Sequence, residues 1–187
     1  MLEGRQTGLW ATITLCVKSY LLVLLLLSFL LSMLILLKPI TTTEDTFFQN
    51  LRLQHQQNII RNKRLSLIRF FRHYKCPSVN YTLIENYLYA ADQNNLDYRL
   101  LPALSLIEST CAKHYPYATA NIFGWDSART QFPSIPASID FISKQLAGGR
   151  HYQGKTLINK LLAYNPNSEY GPRVISLMGE ISNEPIN

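Results

Sequence analysis

The stretch "LDYRLLPALSLIEST", Leu96 to Thr110, decides how the rest of the chain must fold. Its apolar residues fall on most sides of a helical wheel, the pattern of a helix enclosed by others. Pro102 lies inside it and marks either its first turn or a kink. A single acid, Glu108, ends the apolar run. A lone buried carboxyl group is costly unless it is protonated, paired or used. Two readings of Glu108 stand. On an outer helix face it is an ordinary solvated glutamate. Beside Leu104, Leu106 and Ile107, near a helix C-terminus, both the apolar surroundings and the helix dipole disfavour its charged form. That is how a carboxyl group is kept protonated to serve as a general acid.

Around this segment the pattern is helical throughout. In "NYTLIENYLYAADQNN", Ile84, Tyr87, Leu88 and Ala91 follow the i, i+3, i+4, i+7 spacing of one helix face. From Thr110 to Ile135 no period is visible, and Pro116, Gly124 and Pro133 punctuate a long loop. A loop of this length inside a compact domain is usually functional. Helices are expected again in "PASIDFISKQLA", with Pro136 in the first turn, and in "KTLINKLLAY" and "PRVISLMGEI". Gly148-Gly149 is expected to end the first of these. No segment alternates convincingly as a strand. The fold class is therefore all-α, with about five helices over residues 76–187.

The N-terminal part differs in kind. Ser19 to Leu37, "SYLLVLLLLSFLLSMLILL", holds 19 residues without a charge. About 20 apolar residues cross the hydrocarbon core of a bilayer. A cleaved signal peptide is the alternative, but Lys38-Pro39-Ile40 follows with no A-x-A-like site. Cys16 precedes the apolar run, the wrong side for a lipid-attachment cysteine. Arg5 and Lys18 on one side match Lys38 and Arg52 on the other, so the flanking charges do not decide orientation. The short N-terminal tail sets an N-in, C-out expectation. The organisation read from the sequence is a tail over 1–18, a transmembrane anchor over 19–37, a basic juxtamembrane stalk over 38–75, and a helical domain over 76–187.

The net charge of +6 belongs to the stalk side. Residues 1–75 carry 10 Lys+Arg against 3 Asp+Glu, and residues 76–187 carry 8 against 9. "RNKRLSLIRFFRHYK", Arg61 to Lys75, interleaves cations with Ile68, Phe70 and Phe71. Such a segment either docks an apolar face on the domain as a solvated stalk or lies on an anionic lipid surface. No nucleic-acid motif accompanies it, so no nucleic-acid partner is expected. "TTTED", Thr41 to Asp45, reads as a linker into a helix, with Thr43 as N-cap. Cys76 and Cys111 fall in the part assigned to an oxidising compartment, where a bridge between them is expected. Two free buried cysteines are the alternative.

Three short motifs in order carry a family resemblance. "LPALSLIEST" resembles the helix of soluble lytic transglycosylases and goose-type lysozymes that ends in a Glu-Ser pair. "NIFGW", Asn121 to Trp125, is similar to the Gly-containing loop that follows the pair in that superfamily. It is closer still to the Asn-x-Phe-Gly loop of peptidoglycan and mannosyl-glycoprotein endo-β-N-acetylglucosaminidases. "LLAYNP", Leu161 to Pro166, is similar to the Ala-Tyr-Asn motif of the lytic transglycosylases. The resemblance implies a lysozyme-like fold, with Glu108 as acid and base and peptidoglycan or a related N-acetylglucosamine-containing glycan as substrate. It implies sugar contacts from Asn121, Gly124, Tyr164 and Asn165, and for Trp125 two readings stand, a ring stacked on a sugar face or a buried core tryptophan. The chain departs from the pattern at Trp125-Asp126-Ser127, where the family loop continues Leu-Met-Gln after a shared glycine, and at Pro166-Asn167, where it has Ala-Gly.

Ordinary glycosidases place two carboxyl groups across the bond, about 5–5.5 Å apart for retention or 6.5–9.5 Å for inversion. A lytic transglycosylase, as the resemblance implies, uses one. In the long loop the sole acid is Asp126, the candidate second carboxylate. Asp97 and Asp140 are read as helix-start residues. His114 and Cys111 lack the further ligands a metal site needs. No phosphate loop or dinucleotide fingerprint is present, so neither cofactor nor metal is expected. "NYT" at Asn80 fits a glycosylation sequon.

Overall fold

The computed structural model describes residues 3–36, 43–76 and 81–183. Lys38-Pro39-Ile40, the Asn80 sequon and the side chains of Cys16 and Thr43 lie outside the described residues. Among the described residues the chain is helical and has no strand: α1 (Glu3–Leu36), α2 (Thr43–His73), α3 (Tyr81–Gln93), α4 (Leu100–Ser109), α5 (Ile135–Gly148), α6 (Leu157–Tyr164) and α7 (Tyr170–Asn183), with a 3₁₀ turn at Tyr117–Thr119. The contacts divide it into two compact units, Met1–Arg52 and Leu53–Asn187.

In the first unit, Val17–Leu34 of α1 is long and apolar enough to cross a membrane, and none of it is buried within the protein. At a rise of about 1.5 Å per residue, its 18 residues cover about 27 Å, close to a hydrocarbon core. The two serines in the interior of this window, Ser28 and Ser32, do not disturb that. Ser28 and Ser32 donate their hydroxyls to the carbonyls of Leu25 and Phe29, both at 2.8 Å, so each has the internal acceptor that a spanning helix requires.

In the second unit α4 is the central element, as its apolar circumference requires. Leu100, Leu101, Ala103 and Leu104 are fully or almost fully buried, and α3 and α7 pack against it. Pro102 occupies the first turn, where its missing N–H costs no helical hydrogen bond. α3 buries Ile84, Tyr87 and Ala91, with Leu88 at the margin, and packs on α5. The Asn94 side chain joins these two helices by donating to the Ser143 hydroxyl at 3.0 Å. Ser134 caps α5 by accepting from the Ala137 N–H, and Gly149 follows its last turn. Asp140, read above as a capping residue, instead pairs with Lys144 one turn on, at 2.7 Å. The capping position is taken because α5 begins at Ile135, five residues earlier.

The end of α2 belongs to this core. Leu67, Ile68, Phe70 and Phe71 are buried, and the Phe71 and Tyr87 rings lie 6.0 Å apart. The apolar face of the segment read as stalk therefore docks on the domain. A bidentate Arg64–Glu85 ion pair closes the α2–α3 contact at the surface. Cys76, just after α2, stands at disulfide distance from Cys111, just after α4, with Cα atoms 5.6 Å apart and both residues buried. The bridge ties the last core turn of α2 to the turn that follows Glu108.

Alkylation of the unreduced full-length chain is expected to label one cysteine, Cys16, and all three after reduction in denaturant. Replacing Cys76 and Cys111 by alanine is expected to cost about 3–4 kcal/mol in a denaturant titration, the chain-entropy value for a loop of 35 residues. Three labelled thiols before reduction would refute the bridge.

Candidate active site

Glu108 is the penultimate residue of α4. The chain leaves that helix through three consecutive left-handed residues, Thr110, Cys111 and Ala112, with φ of 52°, 57° and 63°. Each such residue costs about 1–2 kcal/mol against the right-handed form. Local bonds hold the turn. Ser109, itself buried, donates its hydroxyl to the Ser105 carbonyl and accepts from the Ala112 N–H at 3.0 Å. The Thr110 and Cys111 N–H groups return to the carbonyls of Leu106 and Ser105. The direction of the Glu108 side chain is thus set by a pinned helix end.

Glu108 lies on the wall of an open cleft of about 630 Å³, with Phe123, Gly124, Trp125, Asp126, Tyr152, Tyr164 and Asn165 around it. Its Oε1 accepts the hydroxyl of Tyr170 at 2.6 Å. Its Oε2 faces Gly124, where a built Cβ would stand 3.1 Å away. Burial raises the Glu108 pKa above its ordinary value, and the Tyr170 hydrogen bond offsets part of that rise. The carboxyl group is half-buried, pinned on one oxygen and open on the other.

Gly124 sits at φ +62°, a conformation in which L side chains are strained, so its loop position favours glycine twice over. The loop is held by Asn121, which is 1% exposed. Its amide nitrogen donates to the carbonyls of Trp125 and Thr130 at 2.9 and 3.0 Å, and its amide oxygen accepts from the Trp125 N–H at 3.0 Å. Asn121, expected among the sugar contacts, does not line the cleft. It acts one step behind, as the clamp of the loop that carries Gly124 and Trp125.

The other expected residues come together. Trp125 is half-buried, edge-on to Phe141 with ring centroids 5.6 Å apart, and 6.2 Å from the rings of Tyr152 and Tyr164. Tyr164 donates its hydroxyl to the Phe123 carbonyl, which joins α6 to the loop. Asn165 caps α6 and lines the cleft beside it. Asp126 lines the same cleft, but its carboxylate is paired with Arg129 at the exposed surface. Among the described residues no group of three His, Cys, Asp or Glu could hold a metal ion.

Tyr170 is the site residue that the motifs do not contain. It opens α7 and is 7% exposed, and its ring stacks on Tyr164 at 6.0 Å with 13° between planes. Burial, and then the negative charge of Glu108, raise its pKa. The signal in the sequence was its register. Tyr170, Val174, Leu177, Met178 and Ile181 form the buried stripe of α7, so Tyr170 had to point inward.

The raised pKa has a consequence for stability. A carboxyl group held above its unfolded value of about 4.3 contributes stability below that pH and loses it as pH rises through the folded value. Glu108→Gln carries no such charge. The variant is expected to melt near the wild type at pH 4 and above it at pH 7, a gap that widens with pH in paired thermal scans. A gap that is the same at both pH values would show that the folded protein does not disfavour the charged form.

Comparison of the chain with protein-family models, with curated proteins and with solved structures returns no match.

Proposed function

We propose that the unit Leu53–Asn187 is a glycan-cleaving domain, held at a membrane by α1, that acts on peptidoglycan or a related N-acetylglucosamine-containing glycan. Glu108 carries the reading. It is a carboxyl group whose charged form burial disfavours, and it opens onto a cleft walled by aromatic rings. The motifs that resemble the lytic transglycosylases supply that same cleft: Glu108 from the first, Gly124 and Trp125 from the second, Tyr164 and Asn165 from the third. Aromatic faces next to amide groups are the surfaces on which sugar rings lie.

The chemistry needs one acid. Protonated Glu108 gives its proton to the glycosidic oxygen as the bond from that oxygen to the muramoyl C1 breaks, and the leaving sugar departs with a hydroxyl group. The carboxylate so formed takes the proton of the C6 hydroxyl, whose oxygen closes on C1 as a 1,6-anhydro ring. Glu108 ends protonated, and no water is consumed. The second reading is hydrolysis of the endo-β-N-acetylglucosaminidase type, and it rests on Asp126 as a second carboxylate on the cleft. Its pairing with Arg129 favours the single-acid reaction.

In this proposal the domain lies on the outer face of the cytoplasmic membrane, with the short tail inside. The cysteine pair supports this, because disulfides persist in oxidising compartments.

Full-length chain and its variants, incubated with purified peptidoglycan, test the proposal through the sugar ends found by mass spectrometry. Glu108→Gln is expected to lower cleavage by at least 10²–10⁴-fold, about the worth of general acid–base help, and to leave sedimentation with the glycan intact. Asp126→Asn is expected to keep most activity, with 1,6-anhydro ends from the wild type. Equal loss in both variants, with reducing ends, would replace the transglycosylase by the hydrolase. Wild-type binding without cleavage would leave a glycan-binding scaffold, and unimpaired Glu108→Gln would remove Glu108 from the reaction.

A further inference from the structure

The two oxygens of Glu108 stand in different surroundings, and the difference comes from a residue outside the three motifs. Oε1 is occupied by the Tyr170 hydroxyl at 2.6 Å. Oε2 faces the one loop position without a side chain, Gly124, on the wall of the cleft. Tyr170 has no freedom to leave. It is buried at the start of α7, stacked on Tyr164, and α7 packs along α4 and α6. Tyr164 is occupied elsewhere, since its hydroxyl donates to the Phe123 carbonyl.

We propose that Tyr170 is the positioning residue of Glu108: it holds Oε1 as an acceptor, so that the exchangeable proton resides on Oε2, the oxygen beside Gly124 that meets the substrate. The inference rests on the acid–base reading of Glu108 and divides that work between its two oxygens. A phenol donates to a carboxylate more strongly than to a carboxylic acid, because charge on the acceptor strengthens the bond. Tyr170 therefore has opposite effects in the two halves of the reaction. It stabilises the carboxylate left after proton transfer, and it limits how far burial can raise the Glu108 pKa. Burial acts toward the protonated form and Tyr170 toward the ionised form. The other titratable groups near Glu108 are Tyr164 from α6, Tyr152 beyond it, and Asp126 across the cleft. No Lys, Arg or His is among the described residues that line the cleft.

The test reads Glu108 itself. In full-length chain held in detergent micelles, with ¹³C-labelled glutamate, the Glu108 carboxyl signal is assigned by its loss in Glu108→Gln and titrated. Tyr170→Phe removes only the hydroxyl. It is expected to move the Glu108 midpoint up by about one pH unit, in line with the net worth of a hydrogen bond to a charged group. Incorporation of 3-fluorotyrosine at position 170, a stronger donor of nearly the same shape, is expected to move it down. Tyr164→Phe is expected to move it less than Tyr170→Phe. In the cleavage assay the alkaline limb of kcat/KM follows the Glu108 midpoint, so Tyr170→Phe shifts that limb to higher pH and lowers kcat at the optimum with little change in KM.

A purely structural tyrosine would lower the melting temperature and leave the Glu108 midpoint where it is, and that result in either position-170 variant would overturn the proposal. The titration needs no turnover. A wild type that cuts no glycan but shows the opposite shifts would therefore remove the enzyme reading and leave the Tyr170–Glu108 coupling standing.

Discussion

The hydrogen bond from Tyr170 to Glu108 joins two helices whose packing organises the whole compact unit. α4 is buried because its sequence offers no polar face, and α7 lies along it through Tyr170, Val174, Leu177, Met178 and Ile181. An acid at the end of so apolar a helix has few outcomes open to it. It must turn into water, find a cation, or accept a donor while burial disfavours its charge. This chain takes the third course, and the donor is neutral. A cation in the place of Tyr170 would have fixed the carboxylate in its charged form, which is useless to a general acid.

That arrangement depends on an unusual helix exit. Three successive left-handed residues would not persist in an isolated peptide, because each is less favourable than the right-handed form. The buried hydroxyl of Ser109 and the Cys76–Cys111 pair hold them. The second member of the Glu-Ser pair thus has a local job: it shapes the backbone that aims the first. A second left-handed run, Asp126 to Ala128, follows Gly124 in the loop across the cleft. Strained backbone gathers on both sides of the carboxyl group, as is common where surrounding structure is used to fix a site.

The loop shows how a polar residue can matter without touching a ligand. The Asn121 side chain spends its hydrogen bonds on the backbone of residues 125 and 130. A buried amide satisfied in this way behaves as a piece of secondary structure. Its resemblance-implied role as a sugar contact gives way to that of a clamp, since a side chain that is 1% exposed has no surface to offer. Trp125 combines the two readings weighed for it: it packs on Phe141 and still borders the cleft.

Periodicity and composition determined what local physics can determine. The charge-free run, the enclosed helix with Glu108 at its end, the stop at Gly148-Gly149 and the first-turn position of Pro136 all follow from side-chain pattern and backbone sterics. Each acts within a few residues of its cause. The apolar end of α2 was legible in the same way, through Ile68, Phe70 and Phe71. Partnership between distant residues was decided by the tertiary structure alone. Nothing near Tyr170 in the chain says that its hydroxyl meets an acid 62 residues away. Asp126 reads in sequence as a candidate second carboxylate and is paired with Arg129 in space, and Asp140 reads as a cap and is a surface ion pair. Hydrogen bonds and burial depend on distances across the fold, and those distances exist only once α4, α6 and α7 have packed.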